Sequence, residues 1–137
     1  MSTILFASLA AALALQSAPD SGSANAANAP GSGEPSVTSF DQLPIEQAAA
    51  PRCAVVFALV SRWQKADDPR GEDYADIEQE GGREFFVQAM ARLMEQRELS
   101  REALMTLVSN EVETLGQPGG EERVAAMMPA CALMMDA

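Results

Sequence analysis

The densest chemistry in this chain lies near its end, where Met127-Met128-Pro129-Ala130-Cys131-Ala132-Leu133-Met134-Met135 gathers four thioethers and one thiol within nine residues. Soft sulfur ligands select Cu(I), and Met128, Cys131 and Met135 recur at helical spacing, on one face. Soft-metal handling by segment 127–135 is therefore one reading. Methionine is also the adaptable filler of irregular cores, and a helix interrupted by Pro129 is a place where such filling helps. Core filling is the simpler account, so no metal or other cofactor is expected, and a disulfide at Cys131 would remove the central copper ligand.

A second cluster, Asp76-Ile77-Glu78-Gln79-Glu80-Gly81, has acids at positions 1, 3 and 5 and glycine at 6, as a calcium loop does. The match ends there. Position 12 is Val87 rather than a bidentate Glu, and Glu stands at 3 and 5 where Asp or Asn is usual. A solvated acidic loop accounts for the same residues. The chain has no histidine, which removes the commonest general base and metal ligand and leaves Ser61, Ser100 and Ser109 without an activating imidazole. Gly119-Gly120 lacks the preceding strand and the following Lys of a phosphate cradle. No catalytic residue is assigned, and the expectation is a protein that is not an enzyme.

The formal net charge is −11, and of the acids only Asp20 lies before residue 30. Nucleic acid and anionic lipid are bound through surplus Lys and Arg, so neither is an expected partner. Another envelope protein is the expected kind of partner, because the N-terminus points to export. Ile4 to Leu15 reads ILFASLAAALAL, long enough for the core of a signal peptide and too short to span a bilayer. Small residues follow, with Ala24-Asn25-Ala26 the best cleavage match, within a window from 18 to 29. Met1-Ser2-Thr3 brings no Lys or Arg, a departure from the usual signal pattern. The expected organisation is a signal peptide over 1–26, a disordered polar leader over 27–49 and a helical domain over 50–137. The location would be periplasmic or secreted, with no stable membrane span once the signal is gone. Phe40, Leu43 and Ile45 are candidates to dock back onto the domain, with Asp41 capping a short turn.

Four helical patterns must position these groups. Pro51 suits a first turn, and Cys53, Val56, Phe57, Val60 and Trp63 then recur at helical spacing, predicting a helix from about Pro51 to Lys65. A second pattern, with Phe86, Met90 and Leu93, enters at Gly81-Gly82 and ends near Arg97, and the stretch from Glu72 to Glu80 is a candidate for an added helical turn. Ser100 caps a third helix carrying Leu104, Leu107, Val108, Val112 and Leu115, which Gly116 stops. A fourth follows Gly119-Gly120 with Glu121 and Glu122 in its first turn, and Pro129 predicts a kink or a division into two short helices. No stretch alternates as a strand does.

Short connections favour antiparallel neighbours, so the predicted fold is all-α, a small up-down four-helix bundle with a Pro-kinked last helix. In that order Cys53 and Cys131 approach each other at one end, and an oxidising compartment lets them form a single disulfide joining the first and last helices. Two buried thiols are the alternative. The plan of export signal, polar leader and acidic two-cysteine helical domain resembles that of small exported helical proteins of Gram-negative bacteria. It is also similar, at fold level and without a shared motif, to periplasmic acid-stress chaperones of the HdeA type. The expected function is that of a non-catalytic exported helical binding or interaction module. The alternatives are an envelope stress holdase and Cu(I) handling by the Met/Cys segment.

Overall fold

The computed structural model describes residues 36–137. The expected signal segment and residues 27–35 of the expected leader lie outside the described residues. Four helices carry the fold: α1 over Ile45–Lys65, α2 over Gly82–Arg97, α3 over Arg101–Leu115 and α4 over Gly120–Asp136. There are no strands among the described residues. No helix among them is long and apolar enough to cross a membrane. A disulfide joins Cys53 in α1 to Cys131 in α4, with Cα atoms 5.2 Å apart.

The central element is α1, which packs against α2, α3 and α4. Its run Cys53-Ala54-Val55-Val56-Phe57 is buried at every position, and Leu59, Val60 and Trp63 continue the burial. A helix packed against three others keeps only a narrow solvated stripe, here Ala58, Arg62 and Lys65, so its apolar residues cover most of the circumference. The outer helices keep the narrower pattern. Leu104, Leu107 and Leu115 face inward from α3, and Val124, Met128 and Cys131 from α4. Phe57 meets Phe85 of α2 edge to face, with ring centroids 5.4 Å apart.

The sequence placed the start of α1 at Pro51, six residues late. An internal proline deprives one backbone carbonyl, here that of Gln47, of its partner, which is why Pro51 reads as a first-turn residue. The helix nevertheless begins at Ile45 and buries both Ala48 and Pro51. Cys53 therefore lies two turns into α1 rather than at its tip. Residues 36–49 likewise belong to the folded unit, not to a disordered leader. Phe40 is 1% exposed and Leu43 8%. Their turn, the 3-10 helix Phe40–Gln42, is held by a reciprocal cap. Ser39 Oγ accepts from the Asp41 N–H at 3.2 Å, and Gln42 Oε1 accepts from the Ser39 N–H at 3.0 Å. The cap is thus Ser39, not Asp41. Asn110 Nδ2 of α3 donates to the Thr38 carbonyl at 2.7 Å and ties this segment down.

Between α1 and α2 the acidic stretch adds no helical turn. It is organised by one amide: Gln64 Nε2 donates to the carbonyls of Tyr74 and Ala75 at 3.2 and 2.9 Å, while Gln64 Oε1 accepts from the Ile77 N–H at 3.2 Å. These bonds drive Ile77, 3% exposed, into the core. Nearby, Arg70 stacks 4.8 Å over the buried Trp63 ring and pairs with Asp68 at 2.6 Å and Glu121 of α4 at 3.4 Å. This joins the end of α1 to the start of α4.

Two glycine pairs admit α2 and α4. Gly81 and Gly119 have φ of 88° and 83°, a left-handed conformation that glycine adopts without penalty. A Cβ on the following residue would collide with Ile77 at Gly82 and with the Leu115 carbonyl at Gly120. Beyond that entry α4 runs as one helix through Pro129, so of the two outcomes expected there, a kink or a division, the division into two short helices does not occur.

If Phe40 belongs to the core, Phe40→Ala lowers unfolding stability by about 3–5 kcal/mol in a denaturant titration. Ile45→Ala, at a side chain 67% exposed, changes it by roughly 0.5 kcal/mol or less. Equal small effects at both positions would return residues 36–44 to a leader.

Candidate functional site

The disulfide decides where the sequence-derived candidates lie. Cys131 is bonded to Cys53, so it offers no thiolate. Its methionine neighbours also divide between two surfaces. Met128 and Met135 face a pocket with Tyr74 and Phe57, whereas Met127 and Met134 line a groove with Cys131 itself. The Met128, Cys131 and Met135 set is therefore not assembled around one point. The three residues share one arc of α4, but Met128 and Met135 meet Tyr74 and Phe57 while Cys131 is bonded to α1.

The calcium-like stretch is also spent locally. Asp76 Oδ1 accepts from the N–H groups of Glu78 and Gln79 at 3.0 and 3.1 Å, its Oδ2 accepts from Gln79 Nε2, and Glu78 pairs with Lys65 at 2.9 Å. Its second residue, Ile77, is buried. Ser100 caps α3, accepting from the Ala103 N–H at 3.1 Å.

The groove beside the disulfide is a different matter. It has a volume of about 470 Å³ and runs between α1, α3 and α4. Ile45 and Ala49 of α1 form one wall, and Met127, Ala130 and Met134 of α4 the other. Ile45 and Met134 are 67% and 40% exposed, so its rim is open and apolar. Small-molecule pockets span roughly 300–1,000 Å³, are mostly apolar and carry a few convergent polar groups. Here those groups are charged.

Glu111 of α3 is only 9% exposed, although its side chain makes no hydrogen bond among the described residues. Its nearest cation is Arg52 of α1, Nε to Oε1 at 3.6 Å, too long for a hydrogen bond. Arg52 Nε is itself buried without an acceptor. The other end of that guanidinium forms an ion pair with Asp41 of the N-terminal turn. Arg123 of α4 donates from Nη2 to the Thr114 carbonyl at 2.6 Å and makes no ion pair among the described residues.

These positions set the ionisation. Burial pushes the Glu111 carboxyl above its ordinary value; Arg52 offsets part of the rise, Asp41 adds to it and Arg123 reduces it. Asp41 moves the other way, held below the usual carboxylate range by the hydrogen bond and charge of Arg52. A buried acid with a raised pKa, in a cleft, is a mark of a functional site.

Sequence reasoning missed Glu111, Arg52, Asp41 and Arg123 as a group. Glu111 had a visible signal, because it stands four residues after Leu107 and four before Leu115, on the apolar stripe of α3. A carboxylate there is either buried or facing a cleft. The other three are brought to it only by tertiary packing.

A carboxylate with a raised native pKa is less stable ionised in the fold than in the open chain, so its contribution to stability falls as pH rises through its titration. Glu111→Gln therefore raises the thermal midpoint at pH 7, and the gain shrinks toward zero as pH drops to about 4, near the ordinary Glu pKa. Circular dichroism melts across that range check this. A variant less stable than the parent at pH 7 would mean that the Arg52 pairing outweighs burial.

No protein-family model, curated protein or solved structure matches this chain.

Proposed function

We propose that this is an exported, non-catalytic helical binding protein and that its ligand occupies the groove between α1, α3 and α4. The observation carrying this is an open apolar cleft of about 470 Å³ whose polar end gathers the nearly buried Glu111 carboxylate, the Arg52 guanidinium that pairs with it, and Arg123. Apolar walls with a few convergent polar groups are the usual make-up of a small-ligand site. Export is supported by the apolar run from Ile4 to Leu15 and by the disulfide, which persists in oxidising compartments. The same two features support a periplasmic or secreted location. The absence of histidine and the acidic balance, with 20 Asp and Glu against 9 Lys and Arg, favour binding over hydrolysis and disfavour nucleic acid as the partner.

The holdase alternative requires acid to loosen the domain. The Arg70 hydrogen bonds draw the Asp68 carboxyl down to about 2, but that pair is exposed and lies within one turn, so it says little about the acid response of the domain.

A neutral apolar fluorophore, N-phenylnaphthylamine, tests the groove. It should brighten on binding the oxidised protein, and Ala130→Trp, which places an indole across the opening, should abolish the effect with helical circular dichroism unchanged. Val87→Trp, on the exposed face of α2, should leave it intact. Retention of dye binding by the Ala130 variant would place the ligand elsewhere.

A further inference from the structure

Away from the groove, a second cavity of about 330 Å³ lies between α1, α4 and the loop before α2. Its inner wall is built from the buried Phe57, Ile77 and Met128, and the half-buried Tyr74 and Met135 flank them. Asp73, Glu80 and Asp136 stand exposed around it, none of them in an ion pair among the described residues. No Lys or Arg lines it. The groove sets Asp41 and Glu111 against Arg52 and Arg123, so its charges select neither sign, whereas those of this cavity are all negative.

We propose that this cavity is a second binding site, for a small organic cation with an apolar body, its body seated against Phe57, Met128 and Met135 and its ammonium group among the three carboxylates. It is separate from the groove and does not depend on it. Aromatic faces attract cations, and thioethers make favourable contacts with aryl groups, so rings and sulfur suit an aryl-alkyl amine. The carboxylates have no internal cation to give up when the ligand enters. A bare metal ion does not fit, because no group of three or more His, Cys, Asp or Glu able to hold one occurs among the described residues. The acids surround an apolar space instead of converging on a point.

The walls are set before a ligand arrives. Gln64 holds the loop through the Tyr74 and Ala75 carbonyls and the Ile77 N–H, which fixes the aromatic flank against the core and spares the cost of ordering it. On the opposite wall Pro129 has no N–H, so the Ala125 carbonyl lacks the donor that a helix ordinarily gives it, and both residues line this cavity. An ammonium brings donors to that wall, which a carboxylate does not. Because the three acids are exposed, their attraction is screened by salt, and the preference for a cation depends on ionic strength.

The test is a magnetic-resonance titration of the oxidised full chain, isotope-labelled at its methionine methyl groups, with phenylbutylamine, phenylbutanol and phenylbutyrate, which share a body and differ in head. The amine should shift the Met128 and Met135 methyls more than those of Met127 and Met134 in the groove. At low ionic strength it should bind about tenfold more tightly than the alcohol, with the acid weakest, and the preference should shrink in ~0.5 M salt. Joint replacement Asp73→Asn, Glu80→Gln and Asp136→Asn, all at exposed positions, should erase the preference and leave alcohol affinity and helical circular dichroism unchanged. Equal affinities for the three heads, or a preference that survives the triple replacement, would overturn the proposal. Larger shifts at Met127 and Met134 would put the amine in the groove and overturn it as well. Competition by tetralysine as strong as that of the amine would also overturn it, by reducing the cavity to a charged surface.

Discussion

One covalent contact sets the terms for the rest of this fold. The bridge between Cys53 and Cys131 closes a sequence separation of 78 residues and ties the middle of α1 to the last turns of α4. In the chain-entropy account a loop of that size removes about 4–5 kcal/mol of freedom from the unfolded chain. For about a hundred folded residues, whose total stability is on the order of 5–15 kcal/mol, that share is large. The same two cysteines line the groove, so the staple that stabilises the domain also fixes the spacing of the walls that face a ligand.

The rest of the architecture distributes polar work around a dry centre. Two of the polar residues of α1 connect it to its surroundings: Arg52 at the groove and Gln64 at the loop before α2. Gln64 substitutes a side-chain amide for missing secondary structure and so anchors Ile77 without a helix. Arg70, lying over Trp63 and paired to Asp68 and Glu121, fastens the start of α4. The disulfide fastens its second half, with Met127 and Met128 before the bridge and Met134 and Met135 beyond it. Rigidity of the walls matters for binding, because a groove held open before the ligand arrives spares the cost of ordering it.

Legibility followed the kind of signal involved. The last three helices were readable because glycine pairs, the Ser100 cap and apolar residues every three or four positions are local features, and local features survive into the fold. The cysteine pairing was readable because two cysteines on the first and last helices leave one intramolecular choice. The start of α1 was hidden by Pro51, whose usual position is a first turn and whose loss of one hydrogen bond is here overridden by burial of Phe40 and Ala48. Ile77 sits in a turn without periodicity, so nothing local marks it as core. The candidate site was the least legible part. Its four charged residues come from the N-terminal turn, α1, α3 and α4, and only Glu111 betrayed itself by interrupting an apolar stripe. The methionines misled for the same reason: a shared helical arc does not say which neighbour covers which half of it.

The claim on which the account turns is that the staple holds both the fold and the groove. The most direct measurement is an unfolding titration of the oxidised protein beside the same chain reduced, with N-phenylnaphthylamine fluorescence followed on both. Reduction should lower stability by about 2–5 kcal/mol and weaken dye binding at concentrations of denaturant where helical content is still intact. Identical midpoints and identical dye binding in the two forms would contradict it.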